Sequence, residues 1–328
     1  MAADPTIAQP FDFTAEQILT KQRGLWSQAW QRLIRNRLAL VAGIILLLVI
    51  VLTILGTTTH LVQRHDPTQQ IYVDAAGHSN VNQGPSSLHW LGTDTLGRDM
   101  WARVLEATLF SLKIGFGAEI VVVTVGITLG MASALGGKVT DTVVSWITDL
   151  AYGFPDLLAI ILVRQVIFGR NWPIIGTGDP QIPGVPSVLI STIFAISIVS
   201  WVTVCRLVRG QMLSIREQDY VVAAKSIGAS PWRVVRTHML PNTLGPVIVA
   251  ITFGIPRNIF AEASIAFIGL GVPPPHASLG SLVSDGYAHL QSNDLLVVWP
   301  AIVIGALMLC FTFLGDGLRD ALDPRTKR

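Results

Sequence analysis

An all-α integral membrane protein with about six transmembrane helices is what this chain of 328 residues predicts, on three observations. Hydrophobic residues make up 51% of it and charged residues 13%, whereas a soluble domain carries about 25% charged residues. The apolar residues gather in runs long enough to cross a hydrocarbon core about 30 Å thick. The basic residues collect in alternate connecting segments. Segments read as inside hold Lys21, Arg23, Arg32, Arg35, Arg37, Lys138, Arg209, Arg216, Lys225, Arg233, Arg236, Arg319, Arg325, Lys327 and Arg328; those read as outside hold Arg64, Arg98, Arg103 and Arg170. This asymmetry follows the positive-inside rule and predicts a multi-pass protein with both termini cytoplasmic. Cys205 and Cys310 lie in apolar runs and suggest neither a secreted disulfide framework nor a metal site.

Residues 1–37 form a cytoplasmic segment. It opens with Asp4, Pro5, Asp12 and Glu16 and has no compact apolar stretch, so no cleavable signal peptide is expected. Trp26, Trp30 and Leu33 then recur on one helical face among basic residues, the pattern of a helix lying in the membrane interface. A solvated linker is the alternative. Residues 38–55 are uncharged and apolar, the first span. Residues 56–111 are mostly polar and form an extracytoplasmic segment ending in HWLGTDTLGRDMWARVL. There Asp94 and Arg98 stand four apart and pair if the turn is helical.

Residues 112–318 form the transmembrane core, with spans at 112–135, 143–168, 187–208, 243–268 and 295–318. Gly126 and Gly130 in the second span make a G-x-x-x-G pair, which suits close helix packing either with another subunit or within the chain. Gly136–Gly137–Lys138 invites comparison with a phosphate-binding loop and fails it. Ala132 stands where the first glycine belongs, and Val139 where Ser or Thr belongs. The chain therefore has no ATP site of its own.

The third span carries Asp149, Pro155 and Asp156, and the proline is expected to kink or break it. The two aspartates share a stripe if the helix is unbroken; they line a pathway or make structural hydrogen bonds near the helix end. Residues 169–186 read as a short external loop. The fifth span holds Pro256, Arg257 and Glu262, so a helix broken at Pro256 is expected to serve a passage or gate; interhelical ion pairing is the alternative. Residues 319–328 are a cytoplasmic tail.

A polar, basic insert at 209–242 separates the fourth and fifth spans. Its local signals describe two short helices with a sharp corner. Ser214 and Glu217 match a capping box. Ala223 and Ala224 favour helix, and Gly228 suits the left-handed end of one. Ser230 and Pro231 start a second helix through Trp232, Val235 and Met239, which Pro241 breaks or ends.

This insert resembles the coupling loop of ABC-importer permeases, Glu-Ala-Ala, three residues, Gly, nine residues, Ile-x-Leu-Pro. Ala223, Ala224, Gly228, Leu240 and Pro241 match; Val222 replaces the glutamate and His238 the isoleucine. Leu91-Gly92-Thr93-Asp94 with Gly97-Arg98-Asp99 resembles a segment of one permease subunit of dipeptide, oligopeptide and nickel importers. Gly153-Phe154-Pro155 with Leu157-Leu158, Gly269-Leu270-Gly271-Val272 with Pro274-Pro275, and GDGLRDALDPR at 315–325 also resemble that family, closest to its C-type subunit.

The resemblance implies a type I ABC importer permease fold, one N-terminal helix plus a five-helix core, in a prokaryotic plasma (inner) membrane. It implies a non-catalytic subunit forming half of a pathway for dipeptides or oligopeptides. The implied partners are a sister permease in a heterodimer, two cytoplasmic ABC ATPases and an extracytoplasmic substrate-binding protein, within the lipid bilayer and without nucleic acid. ATP and Mg would bind at the ATPases, with no cofactor and no metal on this chain. Val222, Ala223, Ala224 and Gly228 would make the ATPase contact, Leu240 and Pro241 its junction with the membrane. Asp156, Arg257 and Glu262 are the candidate pathway residues. Nickel or another small solute is the alternative cargo. A secondary transporter driven by an ion gradient is the alternative class, with Asp149, Asp156, Arg257 and Glu262 as ion or proton sites. No H-E-x-x-H or G-x-S-x-G pattern suggests an intramembrane enzyme.

Overall fold

The structure, a computed structural model, describes residues 25–59, 65–73, 77, 79–168 and 186–322. Helices account for nearly all of its regular structure: α1 (Leu25–Arg35), α2 (Arg37–Thr59), α3 (Met100–Leu135), α4 (Gly137–Tyr152), α5 (Asp156–Val163), α6 (Ser187–Arg216), α7 (Asp219–Ser226), α8 (Pro231–Val234), α9 (Leu240–Ile265), α10 (Leu279–Tyr287) and α11 (Leu295–Leu322). Two isolated bridges are the only β pairing among the described residues. The first twenty-four residues, the loop at 169–185, and Arg64, Arg325, Lys327 and Arg328 of the charge argument lie outside the described residues.

Among the described residues, five helical segments are long and apolar enough to cross a membrane: α2, α3, α6, the continuous stretch Pro231–Leu270 and α11. The sixth expected span is broken. α4 and the segment Asp156–Val166 meet at 97°, because Gly153 closes α4 and Pro155, which has no N–H, stands at the start of α5. Asp149 and Asp156 therefore lie on opposite sides of a bend and share no stripe.

Other boundaries also differ from expectation. α2 continues past residue 55 to Thr59 because Thr57, Thr58 and Thr59 donate their hydroxyls to backbone carbonyls one turn back, at 2.9, 2.6 and 2.6 Å. The second span starts twelve residues earlier than expected, at Met100. Asp99 caps it by accepting from the Ala102 N–H at 2.8 Å, and the polar residues Arg103, Thr108 and Ser111 are buried in its first turns. Pro256 does not break the fifth span. α9 runs through Pro246 and Pro256 while packed against α3, α6 and α11, a setting in which transmembrane helices tolerate proline. The break comes later, at Gly269 with φ +88°.

α3 and α6 form the central seam. A Cβ on Gly126 would stand 2.6 Å from Val204, and one on Gly130 2.7 Å from the Cys205 carbonyl and 2.8 Å from Val208. The G-x-x-x-G pair thus packs within the chain. Gly115 makes the same kind of approach to Ile259 of α9. α2 stands on the outside of this core against α3 and α11, and α1 lies against the end of α11, with Ala29 buried and Trp30 64% exposed.

Candidate functional site

The elbow between α6 and α9 is built by turn chemistry on its outside and apolar packing on its inside. α6 runs on to Arg216 and Glu217 closes it. Ser214 and Glu217 therefore end a helix instead of starting one, because the apolar periodicity of α6 continues through Met212 and Ile215, both buried. α7 starts after Gln218. It ends at Gly228, φ +84°, where the Gly228 N–H bonds the Lys225 carbonyl and the Ala229 N–H the Ala224 carbonyl, each at 3.0 Å. That double bond pattern is the Schellman motif, which needs a residue tolerant of positive φ.

Ser230 then caps α8 by accepting from the Arg233 N–H, with Pro231 in the first turn. Pro241 ends nothing. A wide π turn, Val235–Met239, precedes it, and α9 carries the helix onward.

Inside the elbow, Val221, Ala224, Val234, Val235 and Met239 pack with Val208, Met212 and Ile215 of α6. Outside, Tyr220, Val222, Ile227 and Trp232 are 44%, 50%, 87% and 67% exposed. Val222, Ala223 and Gly228 thus sit on the outer surface. Ala224, grouped with them through the family resemblance, is 8% exposed and belongs to the inner face. Leu240 is half-buried and Pro241 exposed at the junction with α9. Tyr220, Ile227 and Trp232 were not expected; large apolar side chains within a polar insert are the signal that finds them.

Two ion pairs fix the elbow end of α6 to α4. Arg209 donates to both carboxylate oxygens of Asp141 at 2.5 and 2.7 Å, and Ser133 of α3 donates to Asp141 at 2.6 Å. Arg206 pairs with Asp149 and stacks over the Tyr152 ring, 4.1 Å from its centroid. Asp149 is thereby a structural partner.

A polar seam runs between the spans. Ser111 of α3 donates to Glu262 of α9 at 2.9 Å and accepts from the Leu279 N–H, at the start of α10, at 3.2 Å. Glu262 is 1% exposed, so it ties three helices together and lines no open wall. Asn258 donates to Glu119 at 2.8 Å, in space left by Gly254. Arg257, five residues before Glu262, is exposed and donates to Thr203 Oγ1 at 3.3 Å and the Ser200 carbonyl at 3.4 Å on α6. Asp156 is exposed at the first position of α5, where the helix dipole favours a carboxylate. The structure does not bring Asp156, Arg257 and Glu262 into one cluster. Lys113, Glu119, Arg164 and Arg206 are further charged residues within helices of the core; they are few among many apolar neighbours, and hydropathy alone passes over them.

At the opposite end, Asp94 and Arg98 pair at 2.7 Å in a tight non-helical turn, with the Leu96 and Arg98 N–H groups both donating to Asp94 Oδ1 at 2.9 Å. Arg103 reaches Asp94 and Asp285 of α10 at 3.5 and 3.6 Å. His65, His89 and Asp99 bring one potential ligand atom each within 4.8 Å of one another. His89 Nδ1 already meets Asp99 at 2.7 Å while Asp99 caps α3. These groups are committed to the fold.

Two family models match the chain. One, described as the binding-protein-dependent transport system inner membrane component, covers residues 126–328; the other, the N-terminal TM domain of oligopeptide transport permease C, covers residues 24–85. Similar proteins include the oligopeptide transport system permease protein OppC of Bacillus subtilis (strain 168), 34% identical over 99% of this chain and 97% of the relative. The dipeptide transport system permease protein DppC of the same strain is 36% identical over 92% and 86%. The glutathione transport system permease protein GsiD of Pectobacterium atrosepticum is 32% identical over 92% of each. Among solved structures, an inward-facing MetNI methionine ABC transporter chain superposes with a TM-score of 0.53 at 19% identity, covering 68% of this chain and 97% of the other. An amino acid ABC transporter follows at 0.50 and 18%, covering 66% and 92%. These two show a shared fold.

Proposed function

The chain belongs to the binding-protein-dependent transport system inner membrane component family, as a permease subunit of an ABC importer, and on that premise we propose that its elbow is where a cytoplasmic ATPase drives it. An importer of this family works with ATPase and substrate-binding partners. The finer reading is a heterodimer with a sister permease, carried by two ATPases that bind ATP and Mg, with both termini cytoplasmic and no catalytic residue on this chain. The cargo we propose is a short peptide, because relatives named for oligopeptide, dipeptide and glutathione transport align over most of their length.

One observation carries the coupling assignment. The elbow exposes Val222, Ala223, Ile227 and Trp232 while Val221 and Ala224 wedge its inner face between α6 and the start of α9. A push on the outer face then moves both spans together, since packed interiors transmit displacement. ATP biases the inward- and outward-open states only through contacts that differ between them. Arg257, exposed beside Thr203 and Ser200, is the pathway residue this reading favours, with Asp156 at the bend as the second. Glu262 holds the frame around them.

The test is substrate-stimulated ATPase activity of the reconstituted complex. Gly228→Trp is expected to abolish stimulation while the complex still assembles: a Cβ at Gly228 meets nothing within 4 Å of this chain, so the cost within the chain is the strain of a positive φ, and the indole would project into the docking surface. Gly228→Asn, which tolerates positive φ, is expected to retain stimulation. Normal coupling in Gly228→Trp would remove the assignment.

A further inference from the structure

α2 packs against the core along its length, with Ala39, Ala42, Leu46, Thr53 and Gly56 buried. Toward the elbow end, Ala39 meets Gly317 and Gly43 meets Leu314, both on α11; toward the other end, Gly56 lies against Leu105 of α3. Beside Leu46 and Val49, a cleft of about 160 Å³ opens between α2, α3 and α11. Its walls include Ile45 and Val49 of α2, Trp101 and Val104 of α3, and Ile302 and Ala306 of α11.

The lining asks for an apolar guest. Its two hydroxyls are occupied within their own helices, Thr53 Oγ1 donating to the Val49 carbonyl and Thr108 Oγ1 to the Val104 carbonyl, each at 2.6 Å. Apolar cavities near this size stay dry and accept benzene-sized guests. The cavity also opens sideways. Ile45 and Ile302, on its walls, are 43% and 54% exposed. They continue into the exposed apolar face of α2, which includes Leu48 at 54% and Val51 at 42%.

Depth decides what fills it. The lining runs from Ile45 to Thr53, the middle of the Arg37–Thr59 span. On α2 that depth lies within the hydrocarbon, and on α3 the lining reaches toward the outer end of the helix at Trp101. We propose that this cleft is a binding site for one acyl chain of a bilayer lipid, which fills the space between the first span and the core. The proposal rests only on α2, α3 and α11 crossing the bilayer and is independent of the elbow's role.

The test uses the assembled importer in vesicles containing a phosphatidylethanolamine with a diazirine at the end of one acyl chain. After irradiation, peptide mass spectrometry maps lipid adducts. Adducts are expected on Val49, Trp101 and Ala306 as well as on the openly exposed Leu48. Ala306→Phe fills the cleft and is expected to lose the first group while keeping Leu48; Val49→Phe, from the opposite wall, is expected to do the same and serves if the first variant does not assemble. Adducts on Leu48 alone in the unaltered protein, as when a sister subunit's helix covers the cleft, would overturn the proposal. So would unchanged Trp101 labelling in both filled variants.

Discussion

Glycine does opposite work at the α3–α6 seam and at the elbow. At the seam, Gly126 and Gly130 are small because another helix occupies the space where a side chain would be. At the elbow, Gly228 has nothing within 4 Å of its Cβ position, and its φ of +84° is what favours glycine there. The first kind of glycine marks a surface the chain has filled with itself. The second marks a corner whose outer side is left open. The proposed coupling uses both: a core that moves as one body, and an exposed handle through which that body is moved.

Substitutions separate the two kinds. The largest loss is expected from Gly130→Leu, which drives a side chain into the Cys205 backbone and Val208; overpacking of this sort costs about 3 kcal/mol and should appear as a sharply lowered unfolding temperature in detergent. Were the purified subunit unaffected, the seam would not be the rigid unit. Next is Glu262→Ala, which strips the acceptor from Ser111 beside the start of α10. A buried polar group left unpaired costs about 2 kcal/mol, measured the same way, and Glu262→Gln should recover most of it. Arg209→Ala sharpens the boundary between the regions. Arg209 and Asp141 are each 33% exposed, so stability should fall by only about 0.5 kcal/mol, while looser attachment of α4 should show as faster hydrogen exchange across Gly137–Tyr152. The smallest effect is expected from Gly43→Ala on α2. Its Cβ would meet Leu314 at an ordinary 3.6 Å, so unfolding should be unchanged or slightly raised.

What could be read without coordinates differed between these regions for a physical reason. The elbow's corner was legible because its signals are local: Gly228, Ser230 and Pro231 each state a backbone preference within three residues. Its start was misplaced because Ser214 and Glu217 match a cap only when the preceding helix is ignored. Ala224 joined the contact patch through the family motif, which carries no facing, while a turn of about 100° per residue sends Ala223 out and Ala224 in. Pro155 and Pro256 look equivalent on paper. One marks a 97° bend and the other sits inside a straight run, because α9 is packed on several sides and the α4–α5 junction is exposed.

Amino-acid order by itself determined that the chain crosses a membrane repeatedly, roughly where each crossing lies, and that a capped corner interrupts the fourth and fifth. These follow from hydropathy and turn chemistry, which act over a few neighbouring residues. Tertiary structure alone decided that Gly126 and Gly130 face α6, that Asp141 holds Arg209, that Glu262 is sealed against Ser111, and that a cleft opens between the first span, α3 and α11. Those outcomes depend on how each helix is rotated about its axis and which neighbour it meets. Rotation and neighbour are set by packing between residues far apart in the chain, and no local pattern encodes them.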